Sequence, residues 1–171
     1  APVITRVAKS DIGHVEQALK TTGIENLAMV SDTVGYLVGQ GRRVFVDLEH
    51  FFDGYKVDPV YAISVANAAH EAGASVVVLC DTNGGMLPHG IHKIVSEVGD
   101  LTRARIGIHC QDDTACAVAN TLAAVEAGST HVQCTANGYG ERTGNAASPD
   151  VFPGGSCCHP NPVQSRCEPG I

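Results

Sequence analysis

Four apolar runs rich in β-branched residues recur along the chain at nearly regular intervals. They are RVFVDLE (43–49), SVVVLCD (75–81), ARIGIHC (104–110) and HVQCTANG (131–138), which begin 27 to 32 residues apart. Each of the first three is followed by a turn and then by a segment with helical periodicity. This spacing is typical of βα units that feed a parallel sheet.

The intervening segments predict helices. The predicted helices are 59–72, 89–98 and 113–127. Two of these segments close with Glu-Ala-Gly, at Gly73 and Gly128, where glycine suits the left-handed cap residue. A further strand is predicted at 2–8, and a long helical region follows it over about 12–40.

Five strands with helices between them predict an α/β fold with a parallel sheet and right-handed crossovers. An open doubly wound sheet and a piece of a (βα)8 barrel both fit this pattern. The 171 residues are few for a complete α/β barrel. In either fold, chemistry collects at the C-terminal ends of the strands.

Composition limits the partners of the chain. Hydrophobic residues make up 44%, and the formal net charge is -7. An acidic surface argues against nucleic acid or an anionic membrane as partner, and no apolar run reaches the roughly 20 residues of a bilayer span. Cysteines within apolar segments favour a reducing compartment, so a cytoplasmic location is predicted.

From about Val151 the sequence is rich in Pro, Gly, Ser and Cys and has no periodicity, which predicts a disordered end. A zinc site is the alternative for this tail. Its candidate ligands are Cys157, Cys158, His159 and Cys167. Adjacent cysteines lack the usual two-residue spacer of such sites, so the unstructured end is preferred.

Polar residues gather at four successive predicted strand ends. They are Glu49 and His50, Asp81 and Thr82, His109 and Gln111, and Asn137. Because parallel strands end at one edge of a sheet, this set predicts a functional site. Glu49 could act as a general base or pair with a neighbour. Thr82 could donate to a substrate carboxylate or satisfy loop backbone.

His109 and Gln111 point the same way, since side chains alternate along a strand. An imidazole with oxygen ligands suits a divalent ion such as Mg, Mn or Zn, although glutamine is an uncharged and weaker ligand. The glycine-rich segment 137–146 matches neither common phosphate-binding glycine pattern. It predicts a compact loop in which Arg142 pairs with Glu141, while a turn is predicted at 53–54.

Four ordered segments resemble a known family. EHFFDGYK, LCDTNGGMLPH, GIHCQDDTACAVANTLAAVEAG and NGYGERTGNA are similar to successive motifs of the citramalate synthase and 2-isopropylmalate synthase family. The resemblance runs from about residue 3 to 147. It implies a partial (βα)8 TIM barrel of about strands four to eight, with 1–147 as the C-terminal portion of the barrel domain and 148–171 as a disordered tail.

The resemblance implies an acyltransferase of branched-chain amino-acid biosynthesis, which condenses acetyl-CoA with a 2-oxo acid such as pyruvate or 2-oxoisovalerate. A divalent metal (Mg, Mn or Zn) would grip the keto acid, and a base would remove a proton from the acetyl methyl group. The implied partners are these two substrates and further copies of the chain in a homo-oligomer.

The resemblance also implies roles for single residues. Glu49 matches the active-site carboxylate, and Thr82 matches the residue that contacts the carboxylate of the keto acid. His109 matches the first histidine of a metal-binding His-x-His pair. Gln111 stands at the second histidine position, and Asn145 borders the metal site.

Three departures from the family pattern predict a chain that is weak or inactive by itself. Gln111 removes one imidazole, Asp112 replaces the usual Asn, and the Asp-x-x-x-x-Arg-Asp-Gly motif, which carries a metal ligand, is absent from the sequence. Loss of even an outer-sphere group typically costs 10–100-fold in metal affinity or activity. The alternatives are a non-catalytic barrel half that acts by association, and a carbon–carbon lyase or aldolase of the same superfamily.

Overall fold

Five parallel strands form one sheet in the computed structural model, which describes residues 1–151. The strands are Val3–Lys9 (β1), Arg43–Glu49 (β2), Val76–Asp81 (β3), Ile106–Cys110 (β4) and His131–Gln133 (β5). All five predicted strands are present. The fifth is shorter than predicted, because the chain leaves the sheet after Gln133 and enters a 3-10 turn at Ala136–Gly138.

The order of the strands in the sheet follows their order in the chain. A doubly wound sheet reverses its strand order at a switch point, whereas neighbouring strands of a (βα)8 barrel are consecutive in sequence. Every crossover therefore runs in the same direction, and right-handed crossovers place all the helices on one face. This order confirms the α/β parallel sheet and is that of a barrel wall.

The helices differ from the prediction mainly near the start of the chain. They are Ile12–His14 (α1), a π-helical turn at Val15–Leu19, Gly23–Gly39 (α2), Phe51–Val57 (α3), Pro59–Glu71 (α4), Pro88–Leu101 (α5), Ala117–Glu126 (α6) and Ser148–Val151 (α7). The long helical region predicted over about 12–40 is present, but it is interrupted between Leu19 and Gly23. Lys20 has a left-handed conformation (φ 54°), and the Thr22 hydroxyl accepts a hydrogen bond from the Glu25 N–H at 3.2 Å, which caps a new helix.

Helix α3 replaces the turn predicted at 53–54. Its phenylalanines Phe51 and Phe52 are fully buried in the main core. Asp53 and Gly54 have low helix propensity, but the burial of two aromatic side chains outweighs that preference. The same burial fixes α3 directly after the end of β2.

The two faces of the sheet differ in character. Side chains at alternate positions, such as Val46, Leu79 and Ile108, belong to the main core together with the helices. The opposite face, which corresponds to a barrel interior, has a small apolar cluster of Val76, Val78 and Cys80 packed with Phe45. β3 is therefore buried on both faces, as expected for a central parallel strand.

Helix α7 occupies the first four residues of the segment predicted as a tail, and Val151 is fully buried in the core. The remaining tail, with its candidate zinc ligands, lies outside the described residues. The boundary between a barrel portion at 1–147 and a tail at 148–171 stays a prediction. Within residues 1–151, none of the helices is both long and apolar enough to cross a membrane.

Replacement of Gly54 by alanine should destabilise the fold. A Cβ atom there would lie 2.6 Å from the Ser10 carbonyl oxygen and 2.8 Å from the Asp11 Cα, both of them backbone atoms. Overpacking of this kind costs about 1–3 kcal/mol. Urea unfolding of Gly54→Ala should show this loss. In the matched variant Gly35→Ala, where a Cβ has no neighbour within 4 Å, the free energy of unfolding should increase by about 0.5–1 kcal/mol. A similar decrease in both variants would contradict the packing argument.

Candidate active site

The C-terminal ends of the strands bring most of the predicted site residues to one edge of the sheet. Parallel pairing sets Lys9 beside Glu49 at the ends of β1 and β2, and Cys80 beside His109 in β3 and β4. Thr82 follows β3 directly. The structure thus supports the predicted convergence of polar strand ends.

Glu49 has an ion-pair partner that the sequence did not reveal. The Lys9 Nζ contacts the Glu49 Oε2, and the two side chains are 23% and 30% exposed. The Ser10 hydroxyl also donates to the Glu49 carbonyl oxygen at 2.8 Å. The end of β1 therefore fixes both the backbone and the carboxylate of Glu49, while leaving the carboxylate accessible. The pair could be found from sequence only if the β1–β2 register were known.

Thr82 satisfies the backbone of a neighbouring loop, which is one of the two roles predicted for it, and its hydroxyl hydrogen stays available as a donor. The His50 backbone N–H donates to the Thr82 Oγ1 at 2.8 Å. Because the hydroxyl oxygen acts as acceptor in this bond, its own hydrogen remains able to donate to a ligand. The substrate-binding role of Thr82 stays a prediction that this geometry permits.

His50 joins Glu49 to α3 in a left-handed conformation (φ 58°), which is uncommon for a residue other than glycine. Its ring lies against His14, with 4.1 Å between the ring centroids. Burial, followed by the nearby His14, lowers the pKa of His50. The imidazole of His50 thus favours its neutral form, although the nearby Glu49 carboxylate acts in the opposite direction.

Three polar atoms near the predicted metal site are buried and lack a hydrogen-bond partner within the described part of the chain. They are His109 Nδ1, Gln111 Oε1 and Asn145 Oδ1. Gln111 and Asn145 are joined by an antiparallel bridge, which brings the glycine-rich loop to the end of β4. Burial lowers the pKa of His109, so the imidazole favours the neutral form that ligates metals.

These acceptors fit part of a divalent-metal site, because imidazole and amide oxygen are both metal ligands. They do not complete one. No group of three or more His, Cys, Asp or Glu side chains among residues 1–151 is arranged to hold a metal. Asp112 does not add its charge to the set, since its carboxylate accepts from the Ala117 N–H at 2.8 Å at the start of α6.

Arg142 anchors the glycine-rich loop to the strand ends. Its Nε and Nη2 form a two-point contact with the Asp113 carboxylate at 2.7 and 2.8 Å, and Nη2 also donates to the Thr82 carbonyl oxygen at 2.8 Å. The predicted partner, Glu141, is 3.8 Å away and 80% exposed, so it is the weaker contact. The two-point contact with Asp113 orients Arg142 better than a single contact does.

A second polar pair lies on the same face of the sheet, below the strand ends. The Gln133 Nε2 donates to the Asp47 Oδ1 at 2.8 Å, which links β2 to β5 across two intervening strands. Burial raises the pKa of Asp47, an effect opposed by the Gln133 bond and by His109. This pair has no local signal in the sequence, because 86 residues separate its members.

Asp81 supports the loop that carries Thr82. Its side chain is only 1% exposed, and its Oδ2 accepts from the Met86 N–H at 3.2 Å. Burial raises the pKa of Asp81 to about 6. Asp81 is therefore a structural anchor of the loop and is distinct from the predicted substrate contact at Thr82.

With this geometry in place, comparison with known proteins identifies the family. The HMGL-like family model matches residues 2–152. The chain belongs to the HMGL-like family. It is 69% identical to (R)-citramalate synthase of Streptomyces coelicolor over 153 residues, which cover 90% of this chain. It is 51% identical to (R)-citramalate synthase of Synechocystis and 37% identical to 2-isopropylmalate synthase of Methanocaldococcus jannaschii.

These similarities confirm the resemblance to the synthase family on which the sequence analysis relied. The chain spans 28% of the length of the Streptomyces coelicolor and Synechocystis proteins. Among solved structures, the HMG-CoA lyase of Bacillus subtilis matches with a TM-score of 0.78 and 22% identity, covering 88% of this chain and 54% of the lyase. Such a match supports the HMGL-like barrel fold.

The raised pKa of Asp81 predicts a pH-dependent stability. Between the ordinary Asp pKa near 4 and the folded value of about 6, the folded chain binds more protons than the unfolded chain. The free energy of unfolding should therefore fall by up to about 3 kcal/mol as the pH rises through this window.

Asp81→Asn cannot ionise but keeps a carbonyl oxygen for the Met86 N–H. Its free energy of unfolding, measured in urea from pH 4 to 7, should increase relative to that of the unmodified chain across the window. Parallel pH curves for the two proteins would contradict the shift.

Proposed function

We propose that this chain is part of an enzyme that condenses acetyl-CoA with a 2-oxo acid, pyruvate or 2-oxoisovalerate, in branched-chain amino-acid biosynthesis in the cytoplasm. The observation that supports it best is the meeting of an accessible carboxylate, a free hydroxyl donor and unpartnered metal-type acceptors at one edge of the sheet. The names of the relatives, citramalate and 2-isopropylmalate synthases, agree with this chemistry.

Glu49 is the proposed base. It would take a proton from the methyl group of acetyl-CoA, and the resulting enolate would attack the keto carbon of the 2-oxo acid. The alkoxide formed would take up a proton, and hydrolysis of the thioester by water would then release the free CoA thiol. Lys9 contacts the carboxylate and would keep it oriented. Thr82 would donate its free O–H to the carboxylate of the 2-oxo acid, while its oxygen continues to accept from His50.

His109, Gln111 and Asn145 would hold a divalent metal, Mg, Mn or Zn. When bound, the metal would supply Lewis-acid polarisation of the keto carbonyl. The neutral imidazole of His109 suits this role, whereas Gln111 contributes an amide oxygen in place of a second imidazole. Because no group of three or more His, Cys, Asp or Glu side chains within residues 1–151 is arranged to hold a metal, further ligands would come from outside these residues.

The five strands are proposed to be strands four to eight of the barrel, and the full activity is proposed to need the remaining strands and a homo-oligomer. The need for further segments is supported by the share of the Streptomyces coelicolor relative that the chain spans, which is 28%. By itself, the chain is expected to be a weak catalyst or an inactive one.

Association without catalysis is a second candidate function, favoured by the incomplete sheet. Val7, on the edge strand β1, is 58% exposed although it is a large apolar residue, and open strand edges promote pairing with another chain. Sedimentation analysis tests this candidate. A monomer at all concentrations would count against it.

Release of free CoA thiol is the direct test of the condensation. With acetyl-CoA, a divalent metal and either pyruvate or 2-oxoisovalerate, concentrated protein should release thiol slowly, and only when all components are present. Glu49→Gln should lower the rate at least roughly 100-fold, the lower end of general-base contributions. The matched variant Glu126→Gln, at the exposed end of α6, should keep the rate. Release without dependence on Glu49, or no release at all, would reject an active chain.

Restoring the second histidine tests the metal site without catalysis. Gln111→His should raise the affinity for Mn²⁺ or Zn²⁺ by about 10–100-fold, because it replaces an amide oxygen by a stronger imidazole ligand. Isothermal titration with the metal alone measures this effect. The same change at an exposed position, Gln40→His, should leave the affinity unaltered. Equal affinities in the two variants would argue against a metal at Gln111.

A further inference from the structure

His50 connects the proposed base to α3 in a backbone conformation that few side chains adopt, with φ 58° and ψ 31°. Such a conformation costs a residue other than glycine about 1–3 kcal/mol and is typical of functional sites. Two hydrogen bonds hold it in place. The His50 N–H donates to the Thr82 Oγ1 at 2.8 Å, and the His50 carbonyl oxygen accepts from the Gly54 N–H at 2.9 Å. The strained residue is therefore fixed between the proposed base and the proposed substrate contact.

The imidazole of His50 has a free hydrogen-bond donor. Nδ1 is buried and lacks a partner among residues 1–151, whereas Nε2 is not one of the buried atoms without a partner. The side chain also forms no capping hydrogen bond at the start of α3. A neutral imidazole carries one hydrogen. On Nδ1 this hydrogen would be buried without an acceptor, whereas on Nε2 it can be donated to a ligand.

Four titratable groups lie close enough to the His50 ring to affect its charge. They are His14, Glu49, Lys9 and Asp53. Each carboxylate among them has a partner of its own, since Lys9 contacts Glu49 and the Asn83 amide donates to Asp53 at 2.7 Å. Burial, followed by His14, lowers the pKa of His50. The ring is therefore neutral near pH 7 and is not consumed by a neighbouring carboxylate.

The proposed condensation requires a donor of this kind. Removal of the methyl proton by Glu49 breaks a C–H bond and moves its electron pair toward the thioester oxygen, which becomes an enolate oxygen. Thr82 is proposed to contact the carboxylate of the 2-oxo acid, and the metal-type ligands are proposed to serve its keto group. The thioester oxygen has no partner among these groups. A positioned neutral donor stabilises such a developing charge, and a neutral imidazole is suited to this role.

We propose that His50 is a further catalytic residue, which donates a hydrogen bond from Nε2 to the thioester carbonyl oxygen of acetyl-CoA while Glu49 takes the methyl proton. The hydrogen stays on Nε2 throughout. When the enolate attacks the keto carbon, the C=O bond of the thioester re-forms and the charge on its oxygen is lost. Two consecutive residues at the end of β2 thus supply the base and the donor. The inference rests on the proposed condensation.

Exchange of the acetyl-CoA methyl hydrogens in D2O isolates the enolisation step. NMR follows it with the whole chain, a divalent metal and oxamate, an unreactive analogue of pyruvate. His50→Phe keeps a ring against His14 but removes the donor. Its exchange rate at saturating acetyl-CoA should fall roughly 100-fold or more, as for the loss of one oxyanion donor. His50→Gln, whose amide can donate, should recover part of this loss, and the affinity for acetyl-CoA should stay the same in both variants.

His92→Phe is the matched control, because His92 is exposed on α5, and its exchange rate should equal that of the unmodified chain. Circular dichroism checks that the variants fold. Equal rates in His50→Phe and His92→Phe, with exchange still abolished by Glu49→Gln, would overturn the inference and leave the proposed function standing. No exchange by the concentrated unmodified chain would instead reject the proposed condensation, and the inference would fall with it.

The position of the ring hydrogen gives a readout that does not depend on activity. Long-range ¹H–¹⁵N correlation spectra of the whole chain near pH 7 report it, and the His50 signals are assigned by their loss in His50→Phe. The expected result is a neutral ring with its hydrogen on Nε2. A hydrogen on Nδ1 alone, or a doubly protonated ring, would refute the proposed role of His50 even where exchange is observed.

Discussion

The parallel register of the five strands is the constraint on which the proposed site depends. It places the strand-end groups Glu49, Thr82 and His109, because the strands end at one edge and in a fixed alignment. Lys9 reaches Glu49 since these two residues are partners in the β1–β2 ladder. A slip of one residue would turn the Glu49 side chain toward the helices and break this ion pair.

Local patterns predicted the strands and most helices, because apolar alternation and glycine caps involve residues that are close together in the sequence. The strand-end residues Glu49, Thr82 and His109 were likewise predictable from where each strand stops. Helix α3 was not, since two buried phenylalanines override the turn signal of Asp53–Gly54. Contacts between distant segments, such as Asp47 with Gln133, have no local signature at all.

Within residues 1–151, the groups proposed for proton transfer are more complete than the groups proposed to bind the metal. For proton transfer and substrate binding, the Glu49 carboxylate contacts its cationic partner Lys9. The Thr82 hydroxyl is hydrogen-bonded to the backbone of His50, the residue next to Glu49. The groups proposed to bind the metal are one imidazole and two amide oxygens with unfilled hydrogen-bonding capacity. A neutral imidazole nitrogen is a stronger ligand than an amide oxygen for ions such as Zn, so Gln111 should lower the metal affinity of the site relative to a second histidine.

The two-point contact between Arg142 and Asp113 has a consequence for the cost of ligand binding. Together with the bond from Arg142 to the Thr82 carbonyl, it immobilises the glycine-rich loop in the free protein. The loop bridge that brings Asn145 to Gln111 is then already formed before any ligand arrives. Conformational entropy that a mobile loop would lose on binding has been lost on folding, so less of the interaction energy is consumed in ordering the protein.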